Sequence, residues 1–295
     1  MITVNGENKN IYTVSIAFIV MIIVSLTLSL IVQGVLLLIV PSASITFICI
    51  SSLCSPVSMC IILILLGKRE KTNYLFVKNE KPLNISAVLF AVMLFVGMFL
   101  GFGFINYLFS DILNKIGIKV SSPVIAINNF WQFLLCSFCL CVVPAVFEEL
   151  FFRNFFITGL KKLSVLSVIL IDGLMFSLYH RSLSQLLYQF IFGVNLALLY
   201  LKTKNVIPCI TAHFLNNFIV VLFLFLKINI NFYSAVNIII GLLILSAFYL
   251  FIFVQNKGLS AKNEKTVLTN NFFIPFGIVG ILLCLLYIVL GAVSI

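Results

Sequence analysis

Residues 129–158 read NFWQFLLCSFCLCVVPAVFEELFFRNFFIT, an almost unbroken apolar run that carries two adjacent glutamates and an arginine. A helix that crosses the hydrocarbon core of a bilayer needs about 20 apolar residues, so this run is long enough to span a membrane. Ionisable side chains at membrane depth are costly and usually serve a function. The segment therefore predicts a membrane helix with a functional site built into it.

The rest of the chain has the same apolar character. Of its 295 residues, 63% are hydrophobic and 9% are charged, whereas soluble domains contain about 45–50% apolar and about 25% charged residues. All eight cysteines lie in apolar runs, which predicts no disulfide framework. We predict an all-α integral membrane protein, a polytopic bundle of eight to nine transmembrane helices. The predicted spans are 11–40, 43–66, 84–109, 129–158, 163–180, 183–201, 206–226, 233–254 and 272–294.

The net charge of +10 comes from basic residues that lie between the apolar runs and form no basic patch, which excludes a nucleic-acid partner. Short cytoplasmic loops carry an excess of lysine and arginine. With the N-terminus inside, thirteen of the 18 basic residues fall in cytoplasmic segments, and only Lys115, Lys119, Arg181 and Lys227 fall on the opposite side. The pattern predicts a cytoplasmic N-terminus, and we expect the protein in the plasma membrane.

Glu148, Glu149 and Arg153 form the first candidate constellation. Residues four apart share a helix face, so Glu149 and Arg153 are expected to pair and to lower the cost of burying both charges. Glu148 points about 100° away and is left free to accept a proton, and a desolvated carboxylate is a better base than one in water. The alternative is a structural charge cluster that ties helices together.

The two histidines of the chain, His180 and His213, also lie at or within predicted spans. His213 and Asn217 are four residues apart, and together they could present two hydrogen-bond donors at one point, as an oxyanion hole requires. The alternative for each histidine is an interhelical hydrogen bond. Asp172 lies eight residues before His180, on roughly the same helix face, and we favour a structural role for it, orienting His180 or pairing with a cation elsewhere.

The motifs Glu-Glu-x-x-x-Arg at 148–153, Phe-x-x-x-His at 176–180 and His-x-x-x-Asn at 213–217 together resemble the CPBP family of intramembrane proteases. That family comprises the type II CAAX prenyl proteases and the bacteriocin-processing enzymes also called Abi proteins. The resemblance covers about residues 130–226, and Asn154 stands where family members commonly have glycine. It implies three parts: N-terminal helices at 1–128, a catalytic core at 129–226 and C-terminal helices at 227–295.

The resemblance also implies the chemistry. Glu148 with His180 would activate a water molecule, His213 with Asn217 would stabilise the oxyanion, and Glu149 with Arg153 would position the site. The expected partners are the lipid bilayer and a peptide substrate, either membrane-associated, lipidated or a leader peptide. The alternatives are a non-catalytic bacteriocin-immunity or regulatory protein on the same fold and a proton-coupled transporter.

A metal ion is not required in this interpretation. Zinc sites usually take three protein ligands at a defined spacing such as His-Glu-x-x-His, which the sequence lacks. The alternative is a divalent metal such as zinc, held by Glu148, His180 and His213.

The depths of these residues pose a difficulty. Counting from the predicted cytoplasmic ends puts Glu148 about 18 Å deep, His213 about 10 Å and His180 about 27 Å. Straight parallel helices would not bring them together, so the span 163–180 is expected either to tilt strongly or to enter the membrane later than its apolar run begins. We expect the reaction in the cytoplasmic half of the membrane.

Overall fold

The computed structural model describes residues 9–70, 74–75, 81–119, 125–160 and 163–254. Within these residues the regular structure is entirely helical, which confirms the predicted all-α class. The predicted span 272–294 lies outside them. The helices are α1 (Lys9–Leu37), α2 (Ile45–Glu70), α3 (Ile85–Phe102), α4 (Phe104–Lys115), α5 (Phe130–Leu160), α6 (Val165–Tyr179), α7 (Leu186–Thr203), α8 (Ile207–Leu226) and α9 (Ala235–Val254).

Seven helical segments of the described chain are long and apolar enough to cross a membrane, with α3 and α4 together forming one of them. This number comes near the predicted eight to nine and agrees with an integral membrane protein. Gly103 lies between α3 and α4, and a Cβ atom there would lie 2.5 Å from the ring of Phe232.

Helix α6 is three residues shorter than the predicted span 163–180 and is shorter than the seven segments that are long enough to cross a membrane. The hydroxyl of Ser164 caps its start, and it ends 15 residues later at Tyr179. Ser177 Oγ then donates a hydrogen bond to the carbonyl of Leu186 over 2.6 Å, which ties the end of α6 to the start of α7. A helix of this length extends only about 22 Å.

Helix α5 is not a regular α-helix. Two π-helical segments, Ser137–Val142 and Leu150–Phe156, flank a short α-helical stretch that contains Pro144. Proline has no backbone N–H, so Pro144 cannot donate to the carbonyl of Leu140 four residues earlier. Single π-helical turns often mark functional sites because they rotate the side chains that follow. Here they flank the stretch that presents Glu148 and Glu149.

Helices α6 and α7 pack closely because glycines face each other at their crossing. A Cβ atom on Gly173 would lie 2.6 Å from Cγ2 of Val194 and 3.0 Å from its backbone nitrogen. A Cβ on Gly193 would lie 3.0 Å from the Cα of Gly173. Small residues let membrane helices approach in this way. The contact brings the backbone of α7 within reach of the buried side chains of α5.

Candidate active site

Glu148 lies between the two histidines. Its Oε2 atom is 3.8 Å from Nε2 of His180 and 3.9 Å from Nε2 of His213. Helices α5 and α8 and the end of α6 thus bring together three residues whose predicted depths differed widely. His180 directly follows the end of α6 at Tyr179.

The hydroxyl of Tyr179 provides a further contact to Glu148, donating to its Oε1 atom over 3.4 Å. Tyr179 is buried, and Glu148 is only 5% exposed. Tyr179 lies at an unspecified position of the Phe-x-x-x-His motif at 176–180, and no role was predicted for it. Its position directly before His180, at the end of an apolar helix, was the available signal.

The hydrogen bond of His180 fixes which of its ring nitrogens carries a proton when the ring is neutral. Nδ1 lies 2.7 Å from the carbonyl oxygen of Phe176, which can only accept a hydrogen bond. Nδ1 therefore carries the proton, and Nε2 presents a lone pair toward Glu148. A water molecule between Nε2 and the carboxylate would find two acceptors, the arrangement that general-base activation needs.

The orientation of His213 is set by Glu149. Nδ1 of His213 lies 2.8 Å from Oε1 of Glu149, so it donates to that carboxylate. Nε2, which faces Glu148, can then donate to an oxyanion only when the ring is an imidazolium.

Arg153 joins two carboxylates in the fully buried layer behind the histidines. Its Nε atom lies 3.1 Å from Oε2 of Glu149, as the spacing predicts, and 3.6 Å from Oδ2 of Asp172. Its Nη2 atom donates to the carbonyl of Gly193 over 3.1 Å, and its guanidinium lies 4.5 Å from the ring centroid of Phe176. Asp172 thus pairs with a cation on α5, which was one of the two structural roles considered for it.

Asn217 makes its hydrogen bonds to other groups than His213 in this structure. Its Nδ2 atom donates to the carbonyl of Leu140 over 3.2 Å, and its Oδ1 atom accepts from Nδ2 of Asn216 over 3.4 Å. Asn216 in turn accepts a hydrogen bond from Tyr188 over 2.6 Å. Sequence reasoning missed Tyr188 and Asn216, although polar side chains on apolar helices were a signal for both. Because Nδ2 has a second N–H, Asn217 keeps a donor for a ligand.

A cavity of about 850 Å³ gives access to these residues. Glu148, Tyr179 and His180 line it together with Asn216 and Asn217. Its size is within the range of peptide-sized and drug-sized ligand sites, about 300–1,000 Å³. The site is thus an open cleft and not a sealed pocket.

The set considered for zinc is Glu148, His180 and His213. Oε2 of Glu148 lies within 3.9 Å of Nε2 of each histidine, although no cluster of three histidine, cysteine, aspartate or glutamate side chains arranged as a metal site is found in the described part of the chain. The preference for a reaction without a metal stays a prediction.

Comparison with known proteins adds one match. Residues 129–219 match the family model described as type II CAAX prenyl endopeptidase Rce1-like. The matched segment contains all six residues predicted for the site, and it confirms the resemblance read from the three motifs. At the level of the family, the match supports a membrane-embedded CAAX-type protease. No curated protein and no solved structure matches the chain.

Proposed function

We propose that the protein is an intramembrane endopeptidase in which Glu148 activates the attacking water. The observation that carries this proposal is the position of the Glu148 carboxylate, 3.8 Å from His180 and 3.9 Å from His213, beside an open cavity. Polar groups at these separations are spaced for a bridging water.

The reaction follows from the positions of the acceptors and donors. Glu148 takes a proton from water while Nε2 of His180 accepts the second O–H and orients it. The oxygen then attacks the peptide carbonyl carbon, and the negative charge that develops on the carbonyl oxygen is stabilised by the His213 imidazolium and the amide of Asn217. Collapse of the tetrahedral intermediate breaks the C–N bond, and Glu148 returns its proton to the leaving amine.

We also propose that the N-terminus is cytoplasmic and that the protein lies in the plasma membrane. Two hydrogen bonds join connections that are rich in lysine and arginine and support their position on the same side of the membrane. The backbone N–H of Lys81 donates to the carbonyl of Lys204, and Asn205 Nδ2 donates to the carbonyl of Lys81. On the opposite side, Tyr233 donates to Asp111 over 3.3 Å. The excess of basic residues on the first side favours its assignment as cytoplasmic.

Replacement of Glu148 by glutamine tests the proposal. The purified full chain in proteoliposomes is incubated with peptide libraries, and products are identified by mass spectrometry. Because glutamine cannot accept the proton, Glu148→Gln should lower cleavage by about 10²–10⁴-fold.

Glu70→Gln, the same chemical change at an exposed residue at the end of α2, is the matched control and should cleave at the parental rate. Cleavage by Glu148→Gln at the parental rate would sink the proposed mechanism. If that variant also kept an immunity function in cells, the non-catalytic alternative would be favoured.

A further inference from the structure

A chain of three hydrogen-bonded side chains runs along the wall of the active-site cavity. The hydroxyl of Tyr188 on α7 donates to Oδ1 of Asn216 over 2.6 Å. Nδ2 of Asn216 donates to Oδ1 of Asn217 over 3.4 Å, and Nδ2 of Asn217 donates to the carbonyl oxygen of Leu140 over 3.2 Å. All four residues line the cavity. The chain therefore joins α7 to α5 through the two asparagines of α8.

The direction of this chain is set at its α5 end. The carbonyl oxygen of Leu140 carries no proton and can only accept, so Asn217 must turn its Nδ2 atom toward it. The Oδ1 atom of Asn217 then faces Asn216 and can also only accept, so Asn216 must present its own Nδ2 atom. This leaves Oδ1 of Asn216 for Tyr188, whose hydroxyl must donate. Each amide thus has one orientation that satisfies the whole chain.

Packing and burial hold the Tyr188 end of the chain in place. Tyr188 is 5% exposed and Asn216 is 7% exposed. The Tyr188 ring stacks on the ring of Phe192, with the two centroids 6.1 Å apart, and Phe192 meets the ring of His213 edge to face at 6.0 Å. A buried polar group that loses its partner destabilises the protein. The Tyr188 hydroxyl therefore selects the orientation of Asn216 and, through it, the orientation of Asn217.

The orientation of Asn217 decides whether its amide can act on an oxyanion. Nδ2 carries two N–H groups, and the bond to Leu140 uses one of them, which leaves the other for charge that develops in the cavity. A reversed amide would set its own oxygen against the Leu140 carbonyl, and the two acceptors would repel each other. An oxyanion donor stabilises the transition state only if it is oriented in advance.

We propose that Tyr188 is a positioning residue for the peptidase reaction, acting through Asn216 to hold the Asn217 amide with its nitrogen available to the oxyanion. The inference rests on the proposed function for its chemistry, whereas the hydrogen-bonded chain does not depend on it. Because the chain supports a group that acts on developing charge, its loss lowers kcat and leaves KM nearly unchanged.

Tyr188→Phe tests the proposal, since it removes only the hydroxyl. The full chain in proteoliposomes is assayed with a peptide that the parental protein cleaves. We expect kcat to fall about tenfold, less than for outright loss of an oxyanion donor, and KM to change by less than about twofold. Asn216→Leu, which breaks the chain at its middle, should lower kcat by a similar factor. An unchanged kcat in Tyr188→Phe, or a rise in KM alone, overturns the proposal.

Tyr249→Phe is the matched control. The hydroxyl of Tyr249 also donates to an asparagine Oδ1 atom over 2.6 Å, that of Asn195, and Asn195 donates to the carbonyl of Ile191. Tyr249 and Asn195 lie outside the cavity wall. The control therefore loses the same kind of bond and should keep the parental kcat. A fall in kcat equal to that of Tyr188→Phe would overturn the positioning role.

A double-mutant cycle shows whether Tyr188 acts through Asn217. In an Asn217→Ala background the amide is already lost, so Tyr188→Phe should lower kcat no further. An equal loss in the parental and Asn217→Ala backgrounds would show that Tyr188 acts by another route and overturns the proposal. Asn217→Ala at the parental rate would remove the oxyanion role from Asn217 and, with it, the role of Tyr188.

Thermal unfolding tests the start of the chain without any substrate. Tyr188→Phe should lower Tm in the parental protein but not in an Asn216→Leu background, where the hydroxyl has already lost its acceptor. An equal decrease in both backgrounds, or no decrease in either, overturns the chain. If the parental protein cleaves no peptide, that result counts against the peptidase function, while the unfolding measurements still decide whether Tyr188 holds Asn216.

Discussion

The side-chain amide of Asn217 donates a hydrogen bond to the carbonyl oxygen of Leu140 over 3.2 Å. In a regular helix that carbonyl would accept from the residue four positions later, which here is Pro144 and has no N–H. Pro144 on α5 thus leaves the Leu140 carbonyl available to accept the hydrogen bond that orients the Asn217 amide on α8. An oxyanion donor is useful only if it is already oriented when charge develops.

Pro144→Ala should therefore lower kcat. Alanine restores an N–H that could form a regular α-helical hydrogen bond to the Leu140 carbonyl in place of the π-helical pattern at Ser137–Val142, and this would weaken the anchor of the Asn217 amide. We expect a loss of roughly tenfold, smaller than the about 10²–10³-fold typical for outright removal of an oxyanion donor. Steady-state cleavage and thermal unfolding in detergent measure the effect.

Pro56→Ala is the matched control, because Pro56 also lies inside a helix, α2, and is buried. It should leave kcat unchanged. Equal losses in both variants would mean that Pro144 acts only through general helix geometry.

Loss of the Arg153 guanidinium should destabilise the whole protein. Arg153→Met keeps much of the side-chain volume but leaves Glu149 and Asp172 buried without their cation. Breaking a buried ion pair by removing one partner costs about 3–5 kcal/mol. Thermal unfolding monitored by tryptophan fluorescence or protease resistance should show a clear decrease, whereas Arg69→Met, at an exposed position, should not. An Arg153→Met variant as stable as the parent would show that the two carboxylates are not both ionised.

Gly173→Ala should disturb the α6–α7 contact and, through it, His180. The new methyl group would lie 2.6 Å from Cγ2 of Val194, and overpacking of this kind costs about 1–3 kcal/mol. Gly34→Ala is the matched control, because a Cβ there meets nothing within 4 Å. We expect lower stability and lower kcat for Gly173→Ala and neither change for Gly34→Ala, measured in the same assays. Full activity of Gly173→Ala would show that α6 can shift without moving His180.

Treatment with EDTA should leave peptide cleavage unchanged. The prediction follows from the proposed mechanism, in which Glu148 and His180 activate the water without a metal, and from the lack of the His-Glu-x-x-His spacing of zinc sites in the sequence. Cleavage is compared before chelation, after chelation and after addition of zinc. Loss of activity on chelation followed by recovery with zinc would contradict this prediction and favour the zinc alternative.

The helical class and the pairing within one helix were predictable because they depend on local spacing. Glu149 and Arg153 are one turn apart, and the structure places them 3.1 Å from each other. Their relation to Asp172 was not predictable, since it depends on how α5 packs against α6. The same holds for the pairing of His213 with Glu149, which joins residues 64 positions apart.

The bounds of the helix at 163–180 were predicted closely from its apolar run: α6 covers Val165–Tyr179. The end is set by the hydrogen bond from Ser177 to Leu186 and by the left-handed backbone of Arg181, with φ 52°. An apolar run shows that a segment can be buried in a membrane or a core. Where the helix ends depends on its contacts with other parts of the fold.

The end of α6 at Tyr179 has a consequence for the proposed reaction. Beyond Tyr179 the helix does not continue, and the space beside Glu148 and His180 belongs to the cavity. In the proposed reaction each cycle consumes one water molecule, and the cavity offers a path by which another can reach Glu148. A bundle of helices that all ran the full thickness of the bilayer would have to wait for a transient opening, so hydration of this site is not expected to limit its rate.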